Sequence, residues 1–309
     1  MNNKIIFISI LFVAFFQNGN SQHLPLYSQY FFNDFAVNPA VAGSRDWYDV
    51  RSNHRYQWAG LTDSPRIFTL SMCGPSKNKK MGYGGYIFTD NVGPTRRTGF
   101  QLAYSYHLKI NSEIKLSFAL SAGLLQYAVD GSKITTHDPG DAVISTGYQS
   151  TLVPDFKFGF YLYSKKFWVG GSIPQLLGNK LFFFDSQQFS SSQLWFHYNF
   201  NAGYTFDIGD DVDIQPSFML KYVKHIPLQA DIMARVIYKE QVWMGGSFRT
   251  KDAISVMAGY TYRNNLSIGY AYDFTQSNLK NYSSGTHELV LGIRFIQKTN
   301  NKSGKAQIK

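Results

Sequence analysis

A single cysteine, Cys73, occurs in the 309-residue chain, which excludes an intrachain disulfide framework and any zinc site built on several thiolates. It also stands far behind the N-terminus, away from any lipoprotein attachment position. Charged residues make up only 16% of the chain. After residue 16 no apolar run approaches the ~20 residues of a membrane-spanning helix. The seven histidines, His23, His54, His107, His137, His197, His225 and His287, never fall at the His-x-x-x-His spacing of a helical metal pair. No Gly-x-Ser-x-Gly nucleophile turn occurs. The clusters Gly82-Tyr83-Gly84-Gly85 and Gly245-Gly246 precede no helix; they read as strand glycines that admit a neighbouring group, not as phosphate loops. No Pro/Ser/Gly-rich linker divides the chain, so one domain is expected. These absences leave no catalytic residue, no cofactor and no metal to assign, and they point away from an enzyme.

What is present in quantity is aromatic side chains, 26 Phe and 21 Tyr. The stretch Ala253 to Phe274 shows how they are used. Ile254, Val256, Ala258, Tyr260 and Tyr262 alternate with Ser255, Met257, Gly259, Thr261 and Arg263. After the turn Arg263-Asn264-Asn265, Leu266, Ile268, Tyr270, Tyr272 and Phe274 alternate with Ser267, Gly269, Ala271 and Asp273. A period of two is that of a β-strand. A soluble sandwich turns the apolar face inward, whereas a transmembrane barrel turns it onto lipid and keeps the polar, Gly-rich face in the lumen. A net charge of +10 is scattered through turns rather than gathered on one motif, so nucleic acid is not the expected partner.

Taken in order, 1–21 reads as an export signal: Lys4, the apolar stretch Ile5 to Phe16, then small polar residues. Residues 22–46 do not alternate and are rich in Tyr, Phe, Asn and Pro; they are expected to form a periplasmic or plug segment under or inside the barrel. Residues 47–297 carry about fourteen candidate strands, near 47–56, 65–73, 81–89, 98–110, 113–127, 153–163, 166–173, 194–208, 211–222, 226–238, 240–249, 253–263, 265–274 and 286–297. Aromatic faces such as Phe100, Leu102, Tyr104, Tyr106 and Leu108, or Leu194, Phe196, Tyr198, Phe200, Ala202, Tyr204 and Phe206, are assigned to lipid. The long connections, 90–97, 128–152, 174–193 and 275–285, all follow odd-numbered strands, as outer loops of a bacterial barrel do. The fold expected is therefore all-β, a transmembrane antiparallel barrel in the outer membrane. Both termini would be periplasmic and 298–309 a disordered basic tail. Arg51, Arg55, Lys115, Lys157, Lys221, Arg235 and Arg294 share the predicted lumen with Asp155, Asp213, Asp231, Asp273 and Glu288, a mixture that predicts internal ion pairs rather than a selective pore.

The residues Pro25-Leu26-Tyr27-Ser28-Gln29-Tyr30, Asn38-Pro39-Ala40 with Ala42-Gly43, Arg55 with Gln57-Trp58, Ser71 with Gly74-Pro75, and Asn91-Val92-Gly93-Pro94-Thr95-Arg96-Arg97-Thr98-Gly99 together resemble the PorP/SprF family. These are outer-membrane proteins of the Bacteroidetes type IX secretion system and gliding apparatus. Cys73 departs from the polar residue expected before Gly-Pro. The resemblance implies a role in secreting or anchoring surface adhesins and enzymes through their C-terminal domains, in contact with periplasmic ring and lipoprotein components. Read from the residues alone, Gly93-Pro94 is a rigid turn and Arg96-Arg97 two adjacent cations that would meet an acidic partner or lipopolysaccharide phosphate; a solvated charged rim is the plainer alternative. Asn38 and Pro39 are either a turn into the first strand or part of a partner-binding surface. Two other functions stay open at this point. One is a passive porin-like channel; the other is a membrane-embedded lipid hydrolase using His107 or His225 beside a serine.

Overall fold

The computed structural model describes residues 25–134, 147–182, 191–224 and 226–296. The first seven strands are β1 (Trp47–Tyr56), β2 (Arg66–Pro75), β3 (Met81–Val92), β4 (Thr95–Lys109), β5 (Lys115–Asp130), β6 (Tyr148–Tyr163) and β7 (Phe167–Ile173). A small hairpin of β8 (Lys180–Phe182) and β9 (Ser191–Gln193) stands apart from the wall. The wall continues through β10 (His197–Tyr204), its short extension β11 (Phe206–Ile208), β12 (Val212–Val223), β13 (Gln229–Tyr238), β14 (Val242–Arg249), β15 (Ala253–Tyr262), β16 (Leu266–Thr275) and β17 (Thr286–Ile296). Each strand pairs antiparallel with its neighbours. β1 joins β17 on one side, and β10 bridges β7 to β12 on the other, so the sheet closes on itself as a 14-strand barrel. Closure leaves no unpaired edge, the condition that lets a β-sheet stand in hydrocarbon.

The alternation seen in the sequence becomes the two faces of this wall. Ile254, Val256, Tyr260, Leu266, Ile268, Tyr270 and Phe274 are exposed, while Ser255, Ser267 and Asp273 are no more than 1% exposed. The same inversion holds on β4, where Phe100, Leu102, Tyr104 and Tyr106 face out and Gln101, Ser105 and His107 face in. A soluble protein buries its apolar side; here the polar side is buried, and the barrel is of the membrane kind.

Three details differ from the sequence reading. Residues 90–97 are not a loop, because β3 and β4 run on to Val92 and from Thr95 and leave only Gly93-Pro94 as the connection. The φ of +56° at Gly93 makes so tight a turn possible. The connection expected at 128–152 contracts to 131–147, since β5 and β6 remain paired from Lys115↔Tyr163 to Asp130↔Tyr148. Leu194 does not face lipid. It precedes β10 and packs, 5% exposed, with Leu125, Val153 and Leu181 of β8.

The strand ends joined by the longest connections, 57–65, 131–147, 174–196 and 276–285, are all at one end of the barrel, and every turn at the other end is short. Phe200 sits mid-strand on the outer face of β10 beside Phe218, with ring centroids 6.0 Å apart. An arginine on the lipid face near the midplane costs about 2–4 kcal/mol, so Phe200→Arg is expected to reduce the yield of heat-modifiable folded barrel sharply. Asn199→Arg, one residue away on the lumen face, is expected to assemble. Equal loss in both would show that the face assignment of β10 is wrong.

Candidate functional site

Residues 25–46 do not join the wall; they fill it. The segment runs from the long-loop half of the lumen to the short-turn end, where Trp47 begins β1. Its only regular structure is a helical turn, Asp34–Val37, followed by a 3₁₀ turn, Pro39–Val41. Having no period, its polar groups must find partners on the wall, and they do so strand by strand. Tyr27 meets Thr69 on β2 at 2.6 Å, Ser71 Oγ donates to Asn33 Oδ1 at 2.8 Å, and Asn33 Nδ2 donates to Asn53 on β1 at 2.8 Å. Lys157 Nζ donates to the Ala36 carbonyl at 2.9 Å, Ser172 Oγ to that of Val37 at 2.8 Å, and Ser105 Oγ to that of Ala42 at 2.6 Å. Small residues on the inner face make room for it. A Cβ on Gly82 would stand 2.0 Å from the Ala42 oxygen, and one on Gly159 would stand 2.2 Å from Asn38 Oδ1.

The densest contact is a charged cluster around Ser28. Glu288 accepts from the backbone N–H of Ser28 at 2.8 Å and of Gln29 at 2.9 Å, and from Arg55 Nη1 at 3.0 Å. Ser28 Oγ donates to Asp273 at 2.7 Å and accepts from Arg55 at 2.7 Å and Arg249 at 3.2 Å. Arg55 Nη2 reaches Asp273 at 2.8 Å, and Arg249 Nε reaches Asp231 at 3.1 Å. The side chains of Arg55, Arg249, Asp231, Asp273 and Glu288 are all at most 2% exposed. Charges so far from water persist only when paired and hydrogen-bonded, and the plug supplies part of that bonding.

Toward the long-loop end, beside Pro25, the first described residue, lies a cavity of about 270 Å³ among the described residues. Pro25, Leu26 and Tyr30 of the plug form one side of it; Lys157, Asn199, Met219 and Lys221 belong to the wall, and Gln175, Thr250 and Lys251 to the loops. Three lysines and one aspartate, Asp155, line it, and the carboxylate of Asp155 is engaged by Gln101 Nε2.

The residues singled out from the sequence do not come together. Asn38 and Pro39 lie deep in the plug, with Asn38 2% exposed; its amide donates to the Phe160 carbonyl at 2.9 Å, and its Oδ1 caps Ala40 N at 3.0 Å. Neither reaches a partner outside the barrel while the plug is seated. Gly93 and Pro94 lie at the long-loop end, where Gly93 N bonds Asp63 O at 3.0 Å and the Pro94 carbonyl accepts from Asp130 N at 2.9 Å. Arg96 and Arg97 are in β4 and therefore face opposite ways: Arg96 is exposed, while Arg97 turns inward to an ion pair with Asp90. Adjacent in sequence, the two cations are therefore set on opposite faces of the strand.

The predicted lumen ion pairs are present at Arg55–Asp273 and Arg55–Glu288. Sequence reasoning missed Arg249 and Asp49, which pair with Asp231 and Arg51. Both were legible as inward positions by parity, Arg249 from the outward Phe248. The Ser/His pair considered for hydrolysis does stand close, with Ser105 Oγ 3.2 Å from His107 Nε2. Both atoms, however, are directed at the Ala42 carbonyl, with His107 Nε2 at 2.8 Å. An Nε2–H donated to a carbonyl leaves no base for the serine, and Nδ1 is taken by the Tyr163 hydroxyl at 2.9 Å. His225 lies outside the described residues.

A model of the family described as type IX secretion system membrane protein PorP/SprF matches residues 19–293. No curated protein matches the chain. Among solved structures, the CymD monoaromatic hydrocarbon channel aligns at 12% identity and a TM-score of 0.51, covering 89% of this chain and 94% of its own. The toluene transporter TbuX of Ralstonia pickettii aligns at 8% identity and a TM-score of 0.50, covering 84% and 92%. At such identities the likeness is one of fold.

The charged cluster makes a direct expectation. Arg55→Met strands Asp273 and Glu288 without their shared cation, and breaking a buried pair from one side costs about 3–5 kcal/mol. The denaturant midpoint of the folded barrel, read by gel mobility, should fall accordingly, and Arg55→Met with Glu288→Gln should recover part of the loss. An unchanged midpoint in the single variant would show that the cluster does not hold plug and wall together.

Proposed function

The chain belongs to the PorP/SprF family of type IX secretion system membrane proteins, and from that premise we propose that it is a non-enzymatic outer-membrane scaffold. It supports secretion, and anchoring at the cell surface, of adhesins or enzymes that carry a C-terminal secretion domain. The observation that carries this reading is the seated plug. A porin-like channel works by an open lumen, whereas residues 27–42 of this chain are bonded across the lumen to β1, β2, β4, β6, β7, β12, β16 and β17. What remains for the barrel to offer is its two ends. The hydrolase reading is disfavoured by the hydrogen-bond roles of Ser105 and His107 set out above.

In this proposal the protein is exported by the signal in 1–21, and the long-loop end faces the medium. The short-turn end and the tail at 298–309 face the periplasm and meet ring and lipoprotein components of the secretion machinery. The Gly93-Pro94 turn, tied to Asp63 and Asp130 at the outer rim, is the docking surface for cargo, and the exposed Arg96 beside it meets carboxylates of that cargo or lipopolysaccharide phosphate. The orientation is tested by labelling on intact cells in a Cys73→Ser background. Ser132→Cys, exposed after β5, should react with an impermeant maleimide, and Ser112→Cys, exposed in the turn after β4, should not. The reverse pattern would place the long loops inside.

The docking role separates the two arginines. An exposed arginine on its own contributes about 0–1 kcal/mol, whereas a charge engaged at a docking surface costs about 2–5 kcal/mol when truncated. Arg96→Ala should therefore leave a folded barrel in the outer membrane while surface cargo appears in the culture medium. Arg97→Ala should instead lower barrel stability, because Asp90 is 3% exposed and loses its cation. If cargo stays on cells carrying fully folded Arg96→Ala, the rim is not the docking surface.

A further inference from the structure

The cavity at the long-loop end has more polar definition than a packing defect would. Gln175 opens the turn after β7 at φ +58°, a left-handed conformation that a non-glycine side chain adopts at a cost. Its side chain is 5% exposed, lines the cavity, and its Oε1 has no hydrogen-bond partner among the described residues. A buried acceptor left unpaired costs about 1–3 kcal/mol, and strain together with an orphaned polar atom is a recurrent mark of a ligand site. Lys221 stands on the wall opposite Asn199 in the β10–β12 register, half-buried, and makes no hydrogen bond or ion pair among the described residues. The nearby carboxylate of Asp231 is held by Arg249 at 3.1 Å, and that of Asp155 by Gln101. A cation without a counter-charge, a buried acceptor without a donor, and apolar surface from Leu26, Phe88 and Met219 thus converge on one space.

We propose that this cavity binds a small amphiphilic acid, a carboxylate on an apolar body with an N–H close to the carboxylate, as at the C-terminal end of a peptide. Lys221 takes the carboxylate by a charge-assisted hydrogen bond, Gln175 Oε1 accepts the N–H, and the apolar walls cover the body. The volume, just under the ~300–1,000 Å³ of drug-sized pockets, limits the occupant to about one or two residues of such a chain. An acid of this length without an N–H, such as a fatty acid, satisfies Lys221 and leaves Gln175 orphaned.

The test uses the full chain folded in detergent and isothermal titration with three probes: N-acetyl-leucyl-phenylalanine as the free acid, its C-terminal amide, and octanoate. The free acid is expected to bind, with the amide and octanoate each weaker by about tenfold or more, a factor that corresponds to ~1.4 kcal/mol. Lys221→Met should bring the free acid down to the level of the amide, Lys221→Arg should keep the difference, and Gln175→Leu should erase the advantage over octanoate. Heat-modifiable migration confirms that each variant is folded. Equal affinity for acid and amide, indifference to Lys221→Met, or octanoate binding as tightly as the peptide acid would each overturn the assignment. None of these outcomes touches the secretion role, which is read separately from cargo in the medium.

Discussion

The interior of this barrel depends on keeping charges paired away from water. Asp231, Asp273 and Glu288 project into the lumen with only Arg55 and Arg249 directly on them, so cations alone do not use all the carboxylate lone pairs. The plug adds to that bonding at Glu288 and Asp273, through the backbone N–H groups of Ser28 and Gln29 and the hydroxyl of Ser28, which touches Arg55, Arg249 and Asp273 at once. The second oxygens of Asp231 and Asp273 have no hydrogen-bond partner among the described residues. An ionised group at such depth is costly unless it is paired and hydrogen-bonded. The plug and the wall are for this reason one cooperative unit: take the plug away and Glu288 retains Arg55 alone.

Around that cluster the rest of the plug is held by shape. Phe31 packs edge-to-face on Trp243 with centroids 5.2 Å apart and lies under the Arg235 guanidinium at 4.0 Å, while Phe32 lies under Arg51 at 4.4 Å. Arginine over an aromatic face suits a lumen, because the ring attracts the cation while the guanidinium edge still bonds elsewhere, Arg51 to Asp49 and Arg235 to Gln215. Further along, Phe35 and Ala42 sit in recesses that exist because β3 carries Gly84 and Gly82 there, and Asn38 sits against Gly159. The glycines on the inner face of the strands are thus a complement of the plug at Phe35, Asn38 and Ala42.

The wall was legible in the sequence because one physical rule, alternation with a period of two, repeats across it and leaves strong traces in Phe and Tyr. Where that rule weakened, the reading slipped. Polar Asp90, Asn91, Arg96 and Arg97 looked like loop but are rim strand, because near the bilayer surface the outward face need no longer be apolar. Leu194 continued the alternation of β10 by one false step. The plug carries no period, so its path could not be read from the chain, and neither could the partners of Ser28, which lie about 245 and 260 residues away. Arg55, Asp273 and Glu288 were visible as inward charges, but who pairs with whom is fixed by barrel register, which no single strand contains.

The plug also gives the lumen a direction. It is wedged against the wall at the short-turn end, where Ser105 and His107 both bond the Ala42 carbonyl, and among the described residues its cavity lies toward the long loops. Anything that enters the cavity therefore comes from the long-loop side and rests on plug and wall together. Lys157 stands at that junction, since it lines the cavity and its ammonium donates to the plug carbonyl of Ala36 at 2.9 Å and to the wall hydroxyl of Tyr86 at 2.8 Å. An anion drawn to that ammonium would compete with Ala36 for it, and occupancy of the cavity would then be linked to how firmly the plug is held. Linkage of this kind is reciprocal, so whatever loosens the plug from below must change the affinity of the cavity above by the same factor. The plug thus gives the barrel a physical route by which one of its ends can sense the other.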